Sequence, residues 1–400
     1  MLTRLVEVAA DDVRVRRAGS QAPVLRRYAE ITCGTKSWRC ERRVAAKMAA
    51  HRENPDQVNF SQVVKGTVNM SSTEAVALWD GEAAPVANEI VHLPCSNPPV
   101  FATVEILKNG VEGIGDQFRG GAETYDERYL QVDSKILVIN EAFARIGAKT
   151  KDFKVALDVG CGSGNATFAL LQIFPDMHVY ATDLSPEMVQ LLAGRTTQLG
   201  HQDRVTSFVA DSSKLEFKHN SFDLLVGSSM LHHLLDPAEF LDSVLNGVRP
   251  NGVCIFTEPF QSGHLMFRQI LSQLVALAKY NAGFKDHHIK FFRDYIFTID
   301  TMFRKDRDHP IFATLDDKWM FTRSLFQDAA ARAGMRCNIF NGHASASLFS
   351  DRVIDLIRLG FGESVLLPSW AADLISEIDV LVDKDLAEEM LFEGCIVFAR

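Results

Sequence analysis

Val155-Ala156-Leu157-Asp158-Val159-Gly160-Cys161-Gly162-Ser163-Gly164-Asn165 decides how this chain is read. The stretch suits a buried strand that stops at Gly160, followed by a glycine turn and a helix from about Ala166. That succession is how a nucleotide-binding crossover begins, because the first N–H groups of such a helix have no partner within it and suit an anion. The third glycine falls at 164, one place earlier than in the dinucleotide pattern G-x-G-x-x-G, which would need glycine where Asn165 stands. A nicotinamide-dependent oxidoreductase is disfavoured on that ground.

Outward from this turn, strand patterns at 154–159, 178–182, 204–210, 222–227 and 253–258 alternate with helical patterns at 166–174, 186–198 and 237–248. The rhythm predicts a parallel sheet covered by helices on both faces through right-handed crossovers. Ser185-Pro186 and Asp236-Pro237 each place an N-cap residue before a proline in the first helical turn. The alternation is interrupted over 259–318, resumes with a helix at 321–333 and a strand at 335–340, and is interrupted again over 341–393 before a strand at 395–399.

Five motifs then stand in order: Asp158 to Gly164, Asp183-Leu184-Ser185-Pro186-Glu187-Met188, Asp211, Ser221-Phe222-Asp223-Leu224-Leu225, and Arg249-Pro250-Asn251-Gly252. Together they resemble a class I S-adenosylmethionine-dependent methyltransferase of the small-molecule type. The resemblance implies an α/β, Rossmann-like, seven-stranded, mostly parallel sheet. Its last strand is antiparallel and forms a hairpin with the sixth, helices cover both faces, and helical cap insertions sit above. The expected division is a methyltransferase core over 151–258 and 320–400, a cap or lid segment over 70–150, and a substrate-cap insertion over 259–319.

S-adenosyl-L-methionine is the cofactor so implied. Small residues at Gly160, Gly162 and Gly164 let the backbone approach it, and the helix start behind them suits its carboxylate. Asp183 offers two acceptor oxygens to two ribose hydroxyls, and Asp211 resembles the acid that accepts from the adenine amino group. The resemblance also carries cofactor contacts onto Asp158, Leu184, Met188, Ser212 and Ser228, with Ser228 and Met230 on the adenosine side or near the sulfur. His232 and His233 follow the fourth strand where the transferred methyl is faced. A base there would suit O-methylation, while packing or helix capping is the plainer role. Tyr125, Tyr129, Glu258 and His264 are candidate substrate contacts, each with a packing or capping alternative. The spacing of His264, His287 and His288 points to no metal. A small-molecule acceptor is expected, by O-methylation ahead of N- or C-methylation, with a non-catalytic cofactor-binding protein as the rival reading.

Composition bounds these expectations. Four hundred residues, 47% apolar and 23% charged, suffice for one large domain or two modest ones. Cysteines 33, 40, 95, 161, 254, 337 and 395 form no C-x-x-C pair, so reduced thiols and a cytoplasmic protein are expected. No run approaches the roughly 20 apolar residues of a membrane span, so no stable membrane insertion is expected. The net charge of −9 argues against nucleic acid as a partner, as does Ser228-Ser229-Met230-Leu231 where a nucleic-acid methyltransferase carries Asn/Asp-Pro-Pro-Tyr/Phe. No motif speaks to oligomeric state. Residues 1–69 carry 13 Lys and Arg against 7 Asp and Glu, whereas the remainder is acidic. Ser37 to Val44 is similar to a segment of DDE-type transposases but lacks the carboxylate triad. Residues 1–69 are therefore expected to be a basic extension, disordered or not native to the functional protein.

Overall fold

The computed structural model describes residues 83–400, apart from 94–95, 97, 112–121, 123–125, 127–129, 149, 343–348 and 363–364. The basic extension, Tyr125 and Tyr129 lie outside the described residues. In chain order the strands are β1 (Ile90–His92), β2 (Phe101–Thr103), β3 (Val155–Val159), β4 (His178–Asp183), β5 (Val205–Val209), β6 (Phe222–Ser228), β7 (Val248–Pro259), β8 (Arg336–Asn341) and β9 (Glu393–Ala399). The described helices begin with α1 (Val104–Asn109), α2 (Val132–Ile146), α3 (Asn165–Ile173), α4 (Pro186–Gln198), α5 (Pro237–Gly247) and α6 (Gln261–Leu277). They continue with α7 (Asp286–Met302), α8 (Ile311–Thr314), α9 (Arg323–Ala333), α10 (Phe349–Phe361), α11 (Ser369–Asp379) and α12 (Lys384–Glu389).

The strands form one sheet in the order β1-β2-β5-β4-β3-β6-β7-β9-β8. Neighbours from β2 to β7 run parallel, and β9 lies antiparallel between β7 and β8. The antiparallel last strand is as expected. Among the described residues the count is nine rather than seven, because β1 and β2 extend the β5 edge, with β2 parallel to β5 and β1 antiparallel to β2. Each has three residues, too few to show a period. Arg249 to Gly252 is likewise no separate turn. It lies inside β7 as a register shift against β6, with Asn251 left-handed at φ 66° and Arg249 Nη1 on the Asp223 carboxylate at 3.1 Å.

Alternation along the strands divides the core. Leu157, Leu225, Phe256 and Phe398 pack with Phe240 of α5 and Phe326 of α9 on one face. Ala156, Leu224, Ile255 and Val397 pack with Ile139 of α2 and Phe168 of α3 on the other. Each fully buried large side chain contributes roughly 1.5–3 kcal/mol. The predicted caps form: Ser185 Oγ accepts from Met188 N at 3.2 Å, and Asp236 Oδ1 accepts from Ala238 N and Glu239 N at 3.1 and 3.0 Å.

A third cluster lies apart from the sheet. Phe267 and Leu271 of α6 and Phe292 and Ile299 of α7 share it with Val353 and Ile357 of α10 and Ala371 and Ile375 of α11. Both interruptions of the alternation thus build one cap, although the second falls in the stretch assigned by sequence to the core. No helix among the described residues is long and apolar enough to cross a membrane.

Candidate active site

The strand order reverses between β3 and β6, and a crevice opens outside the carboxyl ends of the strands at such a point. Here it is a cavity of about 1310 Å³ that runs from the glycine turn to the cap.

Three glycines of the turn have positive φ, 69° at Gly160, 51° at Gly162 and 109° at Gly164. Their reasons differ. A Cβ on Gly160 would stand 2.6 Å from Met230 Cβ, and one on Gly164 would stand 2.6 Å from Leu192 Cδ1, whereas one on Gly162 meets nothing within 4 Å. Two glycines are thus required by the protein's own packing, and Gly162 leaves open space toward the cavity. Gly162 N–H donates to Asp183 Oδ2 at 2.9 Å and Ser185 N–H to Asp183 Oδ1 at 2.8 Å. The Gly162 amide is therefore committed to Asp183 rather than to a ligand. Burial pushes the Asp183 carboxyl up, and these backbone donors pull it back. Each of its oxygens keeps further acceptor capacity.

Of the other residues predicted at the cofactor, Leu184, Met188, Asp211, Ser212 and Ser228 line the cavity beside Gly160, Gly162 and Asp183. Asp211 also caps a short 3₁₀ turn, accepting from Ser213 N at 3.0 Å. Asp158 and Gly164 lie beneath the turn, not on the cavity. Asp158 is 1% exposed and accepts from Thr167 Oγ1 at 2.6 Å, and burial raises its carboxyl to about 6. It braces the turn on α3. Ser228 Oγ accepts from Lys135 Nζ and shares a hydrogen bond with Thr257 Oγ1 at 2.6 Å. Lys135, unmarked by any motif, is brought here by α2. Burial pushes its amine down, against the opposing charge of Glu393.

Glu258, expected at the substrate, is 1% exposed and sits behind the histidines. Its Oε1 accepts from Met230 N and Leu231 N at 2.9 and 2.8 Å, and its Oε2 meets His232 Nδ1 at 2.6 Å. His232 Nε2 lies 3.5 Å from Asp317 Oδ1. Burial alone would lower the His232 pKa, but the Glu258 charge and the Asp317 contact lift it to about 9, so the ring is an imidazolium at neutral pH. Burial and the His232 charge push His233 the other way, to about 3. His233 Nδ1 faces the Asp316 carbonyl at 2.9 Å. A carbonyl only accepts, so Nδ1 carries the hydrogen, and in the neutral ring Nε2 is of the acceptor type.

His232, His233 and Asp317 bring three possible metal ligands within 4.8 Å of one another, which no spacing in the sequence announces. The same loop is tied down by Lys318 N–H to His232 O at 2.7 Å and Trp319 Nε1 to Leu234 O at 2.9 Å. His264 lines the cap end; its Nδ1 meets the Phe260 carbonyl at 2.9 Å, and burial pushes the ring to about 4.

Residues 157–256, from the second half of β3 to the middle of β7, match the family described as a methyltransferase domain. This is a class I, S-adenosylmethionine-dependent methyltransferase domain. Its relatives include a demethylmenaquinone methyltransferase of Clavibacter sepedonicus, 32% identical over 167 residues that make up 39% of this chain and 66% of that one. A malonyl-[acyl-carrier protein] O-methyltransferase of Bacillus cereus is 25% identical over 162 residues, 38% of this chain and 56% of that one. Phosphoethanolamine N-methyltransferase 1 of Triticum aestivum is 29% identical over 102 residues, 26% of this chain and 20% of that one. The chain thus spans between a fifth and two thirds of the length of these relatives. The cap, from α6 onward, lies outside the residues that match the methyltransferase domain.

Proposed function

We propose that the chain is a methyltransferase that moves a methyl group to oxygen of a small organic acceptor held under the cap. The observation that carries this is the continuity of the cavity, which joins Gly162 and Asp183 at one end to His264, Phe267 and Tyr295 at the other. S-adenosylmethionine, when bound, supplies a methyl carbon already activated by a positive sulfur. The protein's share is alignment of the accepting atom and exclusion of water. Asp183 would accept from the ribose hydroxyls with the lone pairs its backbone donors leave, Asp211 would accept from the adenine amino group, and the open face at Gly162 would admit the cofactor's methionine part. Of the two histidines, His232 already holds its proton between two carboxylates. His233 Nε2 is an acceptor on a weakly basic ring: it can hold a hydroxyl in line by its hydrogen bond and take the proton only as the new C–O bond makes that hydroxyl strongly acidic. The net charge of −9 favours a small molecule over nucleic acid.

The test is a metabolite extract incubated with the purified chain and methyl-labelled S-adenosylmethionine. The expected result is a labelled methyl ether or ester identified by mass spectrometry. A labelled amine or carbon product would overturn the choice of oxygen. Cofactor binding without any labelled product would leave a binding protein in place of an enzyme.

A further inference from the structure

The cap end of the cavity holds an arginine with which no acid among the described residues forms an ion pair. Arg352, half-buried on α10, lines the cavity, and its Nε is out of reach of solvent and has no hydrogen-bond partner. Its Cζ lies 4.6 Å over the Phe392 ring, so the guanidinium plane is supported by an aromatic face rather than by an acid. Among the described residues no carboxylate forms an ion pair with it. Two acids share this end, and both are engaged elsewhere. Asp355 accepts from Arg358 Nη1 at 2.9 Å, and the charge of Glu393 is the strongest of those that support Lys135.

Apart from those two acids, the side chains around the guanidinium are apolar or neutral. Phe267, Met302, Met320 and Leu356 line the same end of the cavity. The two polar rings that feel the Arg352 charge, Tyr295 and His264, are kept neutral by burial, which pushes the phenol up and the imidazole down to about 4. Tyr295 is 5% exposed and its hydroxyl donates to no acceptor among the described residues. A guanidinium nitrogen shielded from water beside apolar side chains is left without a partner unless an anion meets it. Arginine presents donors in a planar fork that matches two oxygens of one carboxylate or phosphate.

We propose that Arg352 anchors the methyl acceptor, and that the acceptor carries an oxyanion, carboxylate or phosphate, on an apolar and preferably aromatic body. The oxyanion lies on the Arg352 fork with the Tyr295 hydroxyl as a second donor, and the atom to be methylated points back toward His233. The inference rests on the reading of the cavity as a methyltransferase site.

The experiment titrates the full chain, saturated with S-adenosylhomocysteine, by calorimetry. The probes are 4-hydroxybenzoate, 4-hydroxyphenyl phosphate and the uncharged 4-hydroxybenzamide. One or both oxyanions are expected to bind at least about ten-fold tighter than the amide, since a charged hydrogen-bonded contact is worth about 1.5–3 kcal/mol, and their order tells carboxylate from phosphate. Arg352→Met should abolish that advantage and Arg352→Lys should retain part of it, with S-adenosylhomocysteine affinity unchanged in both. Equal binding of charged and uncharged probes, no binding of either oxyanion, or an advantage that survives Arg352→Met overturns the proposal. Should Arg352→Met fail to fold, the wild-type preference and Arg352→Lys still decide. Failure of S-adenosylhomocysteine itself to bind overturns the methyltransferase reading, and this inference with it.

Discussion

At the glycine turn the cavity is shaped by backbone: positive φ at Gly160, Gly162 and Gly164, and two amides fixed on Asp183. At the cap it is shaped by side chains that three helices and the residue before β9 bring together: Phe267 from α6, Tyr295 and Met302 from α7, Arg352 and Leu356 from α10, and Phe392. The first arrangement depends on a short run of residues next to one strand. The second depends on how separate helices pack. The difference separates how the two ends are fixed: the first by local backbone conformation, the second by side chains whose positions depend on helix packing. Glu258, His232 and Asp317 are the joint between them, since Glu258 ends a core strand and Asp317 belongs to the cap loop.

The largest effect is expected at that joint. Glu258→Ala leaves the Met230 and Leu231 amides without an acceptor and the buried His232 with only one counter-charge. Unfolding in urea should show a loss of about 3–5 kcal/mol, the cost of breaking a buried pair. A loss under about 1 kcal/mol would mean that the two halves do not meet through this carboxylate. Next, Asp183→Ala should weaken S-adenosylhomocysteine binding about 100-fold by calorimetry, since charge-assisted hydrogen bonds at two oxygens are removed. Unchanged affinity would remove Asp183 from the cofactor end.

The joint also sets a pH dependence. His232 has its pKa raised from the ordinary 6.5 to about 9, so its stabilising charge is complete below pH 6.5 and is lost as pH rises through 9. Melting temperature should fall between pH 7 and 10, and the fall should be smaller in His232→Gln. An equal fall in both proteins would assign it to other groups. The smallest effect is expected for Gly162→Ala, at about 1 kcal/mol of backbone strain, because no atom lies near the added Cβ. Gly160→Ala meets Met230 as well and should cost more. A reversal of that order would show the turn to be held differently.

Much of the core was legible. Strand positions and the two Pro-marked caps followed from period and local signals, because each rests on residues adjacent in the chain, whereas the antiparallel last strand was implied by the resemblance of the motifs. Glu258 was legible only as a residue. Its place at the end of a strand suggested the substrate, but three donors from the Met230–His232 turn close over it and bury it. Asp317 and Lys135 carried no signal at all, since neither belongs to a motif and each reaches the site from an element remote in sequence. The histidines show the limit most clearly. They are identical neighbours in the chain, yet one is held as a cation and the other as a neutral ring, because only His232 lies between two carboxylates.

The sequence by itself determined the alternation of core strands and helices, the glycine turn and the acid at its side, because backbone conformation and strand period are set by near neighbours. The tertiary structure decided which histidine holds a proton, that both interruptions of the alternation make one cap, and that Arg352 lines the cavity with no ion pair among the described residues. Those facts depend on burial and on Coulomb terms between distant segments, whose size is fixed only when packing sets the distances and removes the water.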